Sequence, residues 1–281
     1  MLADAIRSET YRLSKNWVQV VLATLIVPVL FIAGGTFFLF QAKEKGGPMA
    51  IAAGINPNMP GTPVNLMEAL TFGADKGANG LLLIFMLVAA ATLYAGDYRW
   101  ETWRLISARN SRPSLLLGKI AVMKALAFAG MVAFLIAAII FNLMKAGIFE
   151  RSLTFSADGS AWAEFALLWL LSWVRIIQFT LIALLTGVLT RSLIAALFVP
   201  WALGFAQSLF GTVLPMIGWD HASWKAQLLL PGLAYDTLKA MVSNVPNAPS
   251  LWPSTVSLAL WTLVPLIASI VWFNRQDLSK E

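Results

Sequence analysis

The chain has 281 residues and a formal net charge of +6; 59% of it is apolar and only 12% charged. A soluble domain is about a quarter charged, so much of this surface meets a solvent other than water, and that solvent is lipid. Cysteine is absent, which excludes disulfides, thiolate metal sites and a cysteine nucleophile. The bases are not grouped as a nucleic-acid patch but lie beside apolar segments.

Residues 1–16 come first. At about 100° per residue, Leu2, Ile6, Leu13 and Trp17 fall in a narrow arc, with Arg7, Arg12 and Lys15 away from it. That is the pattern of an amphipathic helix lying on a membrane and leading into a span.

A helix needs roughly 20 apolar residues to cross the hydrocarbon core. Six segments meet or approach that: Trp17–Phe40, Gly80–Gly96, Ile120–Met144, Glu164–Leu189, Leu193–Ile217 and Val256–Phe273. The first is too long for a signal-peptide core and follows both acids and bases, so it reads as an uncleaved anchor. Lipid leaves an open backbone without partners, so the spans are helical. The expected fold class is all-α: one polytopic membrane domain over residues 1–281, with six spans. Trp17, Trp162, Trp219, Trp252 and Trp272 near the ends of apolar runs match the aromatic belts of membrane interfaces.

Lys and Arg set the orientation. One side holds Arg7, Arg12, Lys15, Arg99, Arg104, Arg109, Arg112, Lys119, Arg191, Arg275 and Lys280 in short segments. The other holds Lys43, Lys45, Lys76, Lys145, Arg151, Lys225 and Lys239 in longer loops. The denser side is expected to be cytoplasmic, with both termini inside.

The outer loops 41–79 and 218–255 differ. The first is rich in Gly and Pro, with a short helix expected near Val64–Phe72. In the second, Leu228–Leu230 precede Pro231-Gly232, and Leu233, Leu238, Met241 and Val242 follow at near-helical spacing. A re-entrant or interfacial helical pair and a loop packed on the bundle both fit.

The inner loop 97–119, DYRWETWRLISARNSRPSLLLGK, mixes acids, bases and two tryptophans. A helix over Asp97–Ala108 is expected, ending by Arg112 because Pro113 forces the residue before it to be extended. Such a surface suits docking of a partner protein. The string resembles the loop after the second span in type-2 permeases of ATP-binding-cassette exporters. The residues that carry the likeness are Asp97, Tyr98-Arg99, Thr102, Arg104-Leu105, Ser111-Arg112 and Leu117-Gly118-Lys119. A Gly often precedes the Thr in that family; here it is Glu101, which adds a charge to the contact surface. Close similarity covers only about 25 residues, while the six-span layout, the amphipathic first helix and the outer segment before the last span fit along the whole chain.

The resemblance implies a permease in a bacterial cytoplasmic membrane, paired as a homodimer or with a related permease, each bound to a cytoplasmic ATPase subunit. ATP and Mg would then be held by that ATPase, with no cofactor bound directly here. The ATPase-coupling residues would be Asp97, Arg99, Trp100, Glu101, Thr102, Trp103, Arg104, Arg109 and Arg112, with Arg7 and Arg12 of the first helix adding to the contact.

Other chemistry finds little support. There is no GxxxxGK[ST] phosphate loop. His221 is the only histidine, which excludes bis-histidine haem and HExxH zinc; Asp220 beside it makes at most a weak metal pair. Arg175 stands near the middle of the fourth span, where a central Arg costs roughly 2.5–3.5 kcal/mol. Ser172 and Gln178, three residues either way, share its face. These three either line a translocation path, where they would meet an anionic headgroup, or form a structural patch in which Arg175 is satisfied by carbonyls or by Asn142 or Gln207. An ion-coupled carrier, and a membrane enzyme or assembly factor, are the competing functions; the spans lack deeply placed acids for the first and convergent catalytic groups for the second.

Overall fold

The structure, a computed structural model, describes residues 2–46, 51, 62–99, 103, 111–243 and 251–276. The chain is an all-α, multi-pass membrane protein: among the described residues six helices are long and apolar enough to cross a bilayer. Helix α1 (Leu2–Lys15) is followed by α2 (Trp17–Thr24) and α3 (Ile26–Lys45). The break at Leu25 has a local cause. Pro28 has no N–H to donate to the carbonyl of Thr24, and its ring crowds that carbonyl.

A two-residue strand β1 (Val64–Asn65) pairs in parallel with β2 (Leu153–Thr154). Asn65 then caps α4 (Leu66–Asp75), its side chain accepting from Met67 N at 3.0 Å. The short helix expected near Val64–Phe72 therefore exists, shifted a few residues toward the C terminus. Three spans follow: α5 (Gly80–Arg99), α6 (Arg112–Ile148) and α7 (Gly159–Thr190). Asp158 caps α7, and Arg191 closes it in the left-handed conformation at φ 55°. The turn is tight, and Ser192 at once caps α8 (Leu193–Val213). After a 3₁₀ turn (Leu214–Ile217) come α9 (Trp224–Leu229), α10 (Pro231–Val242) and the last span α11 (Leu251–Arg275).

The most enclosed span is α7. The main core lies around it and includes Met86, Tyr94, Met123, Met131, Phe134, Ile176, Phe179 and Leu184. Small residues permit close approach: a Cβ on Gly187 would stand 3.5 Å from both Ala95 and Ala196. Phe37, Ile194, Phe198, Phe205 and Val264 point outward, exposed, as a lipid-facing surface requires.

Both described chain ends gather at one end of the bundle. Arg112 Nη1 donates to the backbone carbonyls of Asn274 at 3.0 Å and Gln276 at 2.6 Å. The opposite end carries α4, the strand pair, α9 and α10. There α9 and α10, within the expected 218–255 loop, form a helical pair whose elbow enters the bundle. Trp261 Nε1 donates to Leu228 O at 2.8 Å, and Gly232 N to Gln207 Oε1 at 3.0 Å. Trp261 and Gln207 both lie about four helical turns from the terminal end, roughly 21 Å along their helices. The elbow thus packs inside the bundle, against α8 and α11, rather than on its outer surface.

Candidate functional site

At the terminal end, α1 lies across the bases of α5 and α6. Its inward face is Ala5, Glu9 and Arg12, spaced four and three residues apart, hence on one side of a helix. Gly118 makes that approach possible: a Cβ there would stand 3.0 Å from the Cβ of Ala5 and 3.1 Å from its carbonyl carbon. The arc of Leu2, Ile6, Leu13 and Trp17 lies beside this face. Leu2 and Trp17 are exposed, as an interfacial helix needs.

Four charges meet under α1. Lys119 Nζ is 2.6 Å from Asp97 Oδ2 and 3.2 Å from Glu9 Oε1, and it donates to Leu93 O at 2.8 Å. Arg12 grips Asp97 through both terminal nitrogens, Nη2 to Oδ1 at 2.5 Å and Nη1 to Oδ2 at 3.2 Å, and Nη1 also reaches Glu9 Oε1 at 2.9 Å. Glu9, Asp97 and Lys119 are only 3%, 1% and 1% exposed. Two acids face two bases, so the set is neutral and each of the three buried ions is paired, with Arg12 closing it from the exposed side. The hydrogen bonds that Arg12 donates to Asp97 raise its pKa against the opposing effect of burial, so that guanidinium stays charged.

Trp103 turns into the same region. It is 1% exposed, with its ring centroid 4.6 Å from Phe273 and 5.6 Å from Tyr98, and Lys119 Nζ lies 5.2 Å from the ring. Tyr98 OH donates to Gln276 Oε1 at 2.8 Å, and Gln276 Nε2 to Val188 O at 2.5 Å. The end of α5 and Trp103 are thereby tied to α6, to α7 and to the end of α11.

Of the residues the sequence assigned to partner contact, Asp97 and Trp103 face inward, Arg112 holds the C-terminal carbonyls, Arg12 is clasped by Asp97, and Arg7 and Arg99 are exposed. Trp100, Glu101, Thr102, Arg104 and Arg109 lie outside the described residues, as does most of the helix expected over 97–108. Glu9 was missed by sequence reasoning. Its signal was an acid three residues before Arg12 on a face read as basic.

A second polar centre sits at mid-depth. Arg175, 8% exposed, donates through Nη1 to Gln178 Oε1 at 2.8 Å and through Nη2 to Gln207 Oε1 at 3.3 Å. Its guanidinium carbon lies 4.5 Å from the ring centroid of Phe179 and 5.5 Å from that of Tyr235. Ser172 donates to Ala74 O at 2.7 Å and shares a 3.1 Å hydrogen bond with Tyr235 OH. The structure therefore joins Arg175 directly to Gln178, and to Ser172 through Tyr235. Of the two neighbours the sequence offered, Gln207 is the partner; Asn142 donates to Ala138 O of its own helix. Tyr235 and Gly232 belong to the centre too, and no local pattern pointed to them.

A family profile described as "Protein of unknown function (DUF2705)" matches residues 20–279. No curated protein and no solved structure matches the chain.

Proposed function

The chain belongs to the DUF2705 family, and we propose that it is the permease subunit of an ATP-driven exporter of the ATP-binding-cassette type. It works as a dimer, with a second copy or a related permease, in a bacterial cytoplasmic membrane with both termini inside. A separate ATPase chain binds ATP and Mg, and this chain has no catalytic role of its own.

The observation that supports this reading is the neutral charge clasp of Glu9, Arg12, Asp97 and Lys119. A motor that pushes on a membrane protein needs an element that transmits displacement without bending. Here Asp97 at the end of α5 pairs with Arg12 of α1, Trp103 packs on Phe273 of α11, and Lys119 of α6 pairs with Asp97 and with Glu9 of α1. Sliding the segment past α1 would separate buried opposite charges, a costly step. The end of α5, Trp103, α1, α6 and the end of α11 therefore move as one body. Arg99, exposed at the end of α5, adds its positive charge to that of Arg104 and Arg109 on the same segment, and so favours an acidic partner surface.

The test is purification of the full chain from its native membranes in mild detergent. An ATP-hydrolysing subunit at fixed stoichiometry, lost on charge reversal at Arg104 and Arg109, is the expected result. A chain that carries no ATP hydrolysis from membranes where it is assembled would end this reading.

A further inference from the structure

The mid-depth centre holds more hydrogen-bond donors than acceptors. The Gln178 carbonyl is committed to Arg175 Nη1, and the Gln207 carbonyl to both Arg175 Nη2 and Gly232 N. Each amide must then turn its NH₂ away from the guanidinium. Flipping Gln178 would set donors against Arg175; flipping Gln207 would set them against Arg175 and Gly232 as well. Yet among the described residues Gln178 Nε2 and Gln207 Nε2 are both buried without a partner, on side chains 0% and 6% exposed. Two donors are stranded beside a cation, where buried polar groups are ordinarily satisfied.

The backbone adds to the same polarity. Gly232 opens α10, a 12-residue helix whose first turn faces the guanidinium: a Cβ on Gly232 would stand 3.2 Å from Arg175 Nη2. The N-terminal end of a helix carries partial positive charge and unpaired N–H groups. A cation placed there raises the local potential further. Asp236 attracts Arg175 only at longer range, and among the described residues Arg175 hydrogen-bonds no carboxylate.

We propose that Arg175, Gln178, Gln207 and the first turn of α10 form a binding site for one anionic group, a carboxylate or a phosphate. Such a group supplies both the missing acceptor oxygens and the missing negative charge; a water supplies only the first. The site goes beyond the coupling role and does not depend on it. If the chain is a permease, the anion is the head of its cargo.

Two sources carry this chemistry: a lipid-borne headgroup and a free anion. A groove of about 770 Å³ runs between α7, α10 and α11, lined by Leu171, Val174, Leu238 and Leu258 among others. Val174 adjoins Arg175, and Leu238 lies one turn beyond Tyr235, whose ring stacks on the guanidinium. An acyl chain in that groove would lie against Val174, one residue along α7 from Arg175.

The experiment is thermal unfolding of the purified full chain in neutral detergent at constant ionic strength. The probes are sodium phosphate and sodium acetate as free anions, phosphatidylglycerol and palmitate as lipid-borne ones, and phosphatidylcholine as control. The expected result is a saturable rise in the midpoint with at least one anionic probe. It should be abolished in Arg175→Gln and weakened about tenfold in the charge-retaining pair Gln178→Leu/Gln207→Leu. Val174→Trp, which fills the groove beside the centre, should weaken only a lipid-borne anion. The assignment is overturned if no anionic probe exceeds the control, or if the Gln178→Leu/Gln207→Leu chain binds as tightly as the parent. Because no ATPase is present, neither outcome touches the coupling reading.

Discussion

Lys119 Nζ stands 2.6 Å from Asp97 Oδ2 although both side chains are 99% enclosed, so two spans are joined at their bases by an ion pair that water barely reaches. Removing one member of such a pair leaves a bare buried charge, and that loss costs more than the intact pair contributes.

Lys119→Met should therefore destabilise the chain by about 3–5 kcal/mol. Adding Asp97→Asn should recover part of the loss, because Glu9 then faces Arg12 alone. Unfolding in a denaturing detergent series measures both; strict additivity of the two substitutions would disprove the coupling.

Gly118→Val should lift α1 from α6. A Cβ there meets the Cβ and carbonyl carbon of Ala5 at 3.0 and 3.1 Å, and a backbone atom cannot swing aside as a side-chain tip can. The expected cost is about 1–3 kcal/mol, with faster tryptic cleavage at Arg12. Unchanged cleavage would mean α1 finds another seat.

The tie between α4 and α10 should weaken in acid. Asp75 pairs with Lys239 and, at 2.7 Å, with Lys76. Burial raises its pKa, but the two lysines outweigh this and hold it below the usual carboxylate range. A depressed folded value stabilises above the unfolded pKa of about 3.9, and the benefit fades as pH falls through the folded value. Asp75→Asn should thus cost about 1 kcal/mol at neutral pH and nothing once the parent carboxyl is protonated. A gap between the two chains that persists into strong acid would contradict the pairing.

Within the 97–119 segment, two kinds of substitution should separate. Trp103→Ala removes a ring packed on Phe273 and Tyr98, so it should lower stability by about 3–5 kcal/mol. Charge reversal at Arg99, exposed at the end of α5, should weaken partner capture. If Trp103→Ala unfolds like the parent, the ring is not seated where the structure puts it.

The six crossings were legible because length and hydropathy are local properties that water and lipid sort directly. Arg175 was legible for the same reason: a charge inside an apolar run stands out by its cost. The short helix before α5 and the elbow at Pro231 were readable from turn residues. The clasp was not readable. Arg12 and Asp97 are 85 residues apart, and nothing in either neighbourhood names the other. Gln207 could be offered as a partner for Arg175 only because so few polar residues lie in the spans.

Sequence alone marked the six stretches apolar enough to cross a membrane and the charge that sits in the middle of one of them. Only the tertiary structure decided which face of each helix turns inward. Lipid tails are as apolar as leucine, so hydrophobicity that marks a core in water does not separate a packed face from a lipid-facing one. In α1 the choice fell to Ala5 against Gly118 and to Glu9 and Arg12 against Lys119 and Asp97: close backbone approach and charge pairing, which exist only once the helices have met.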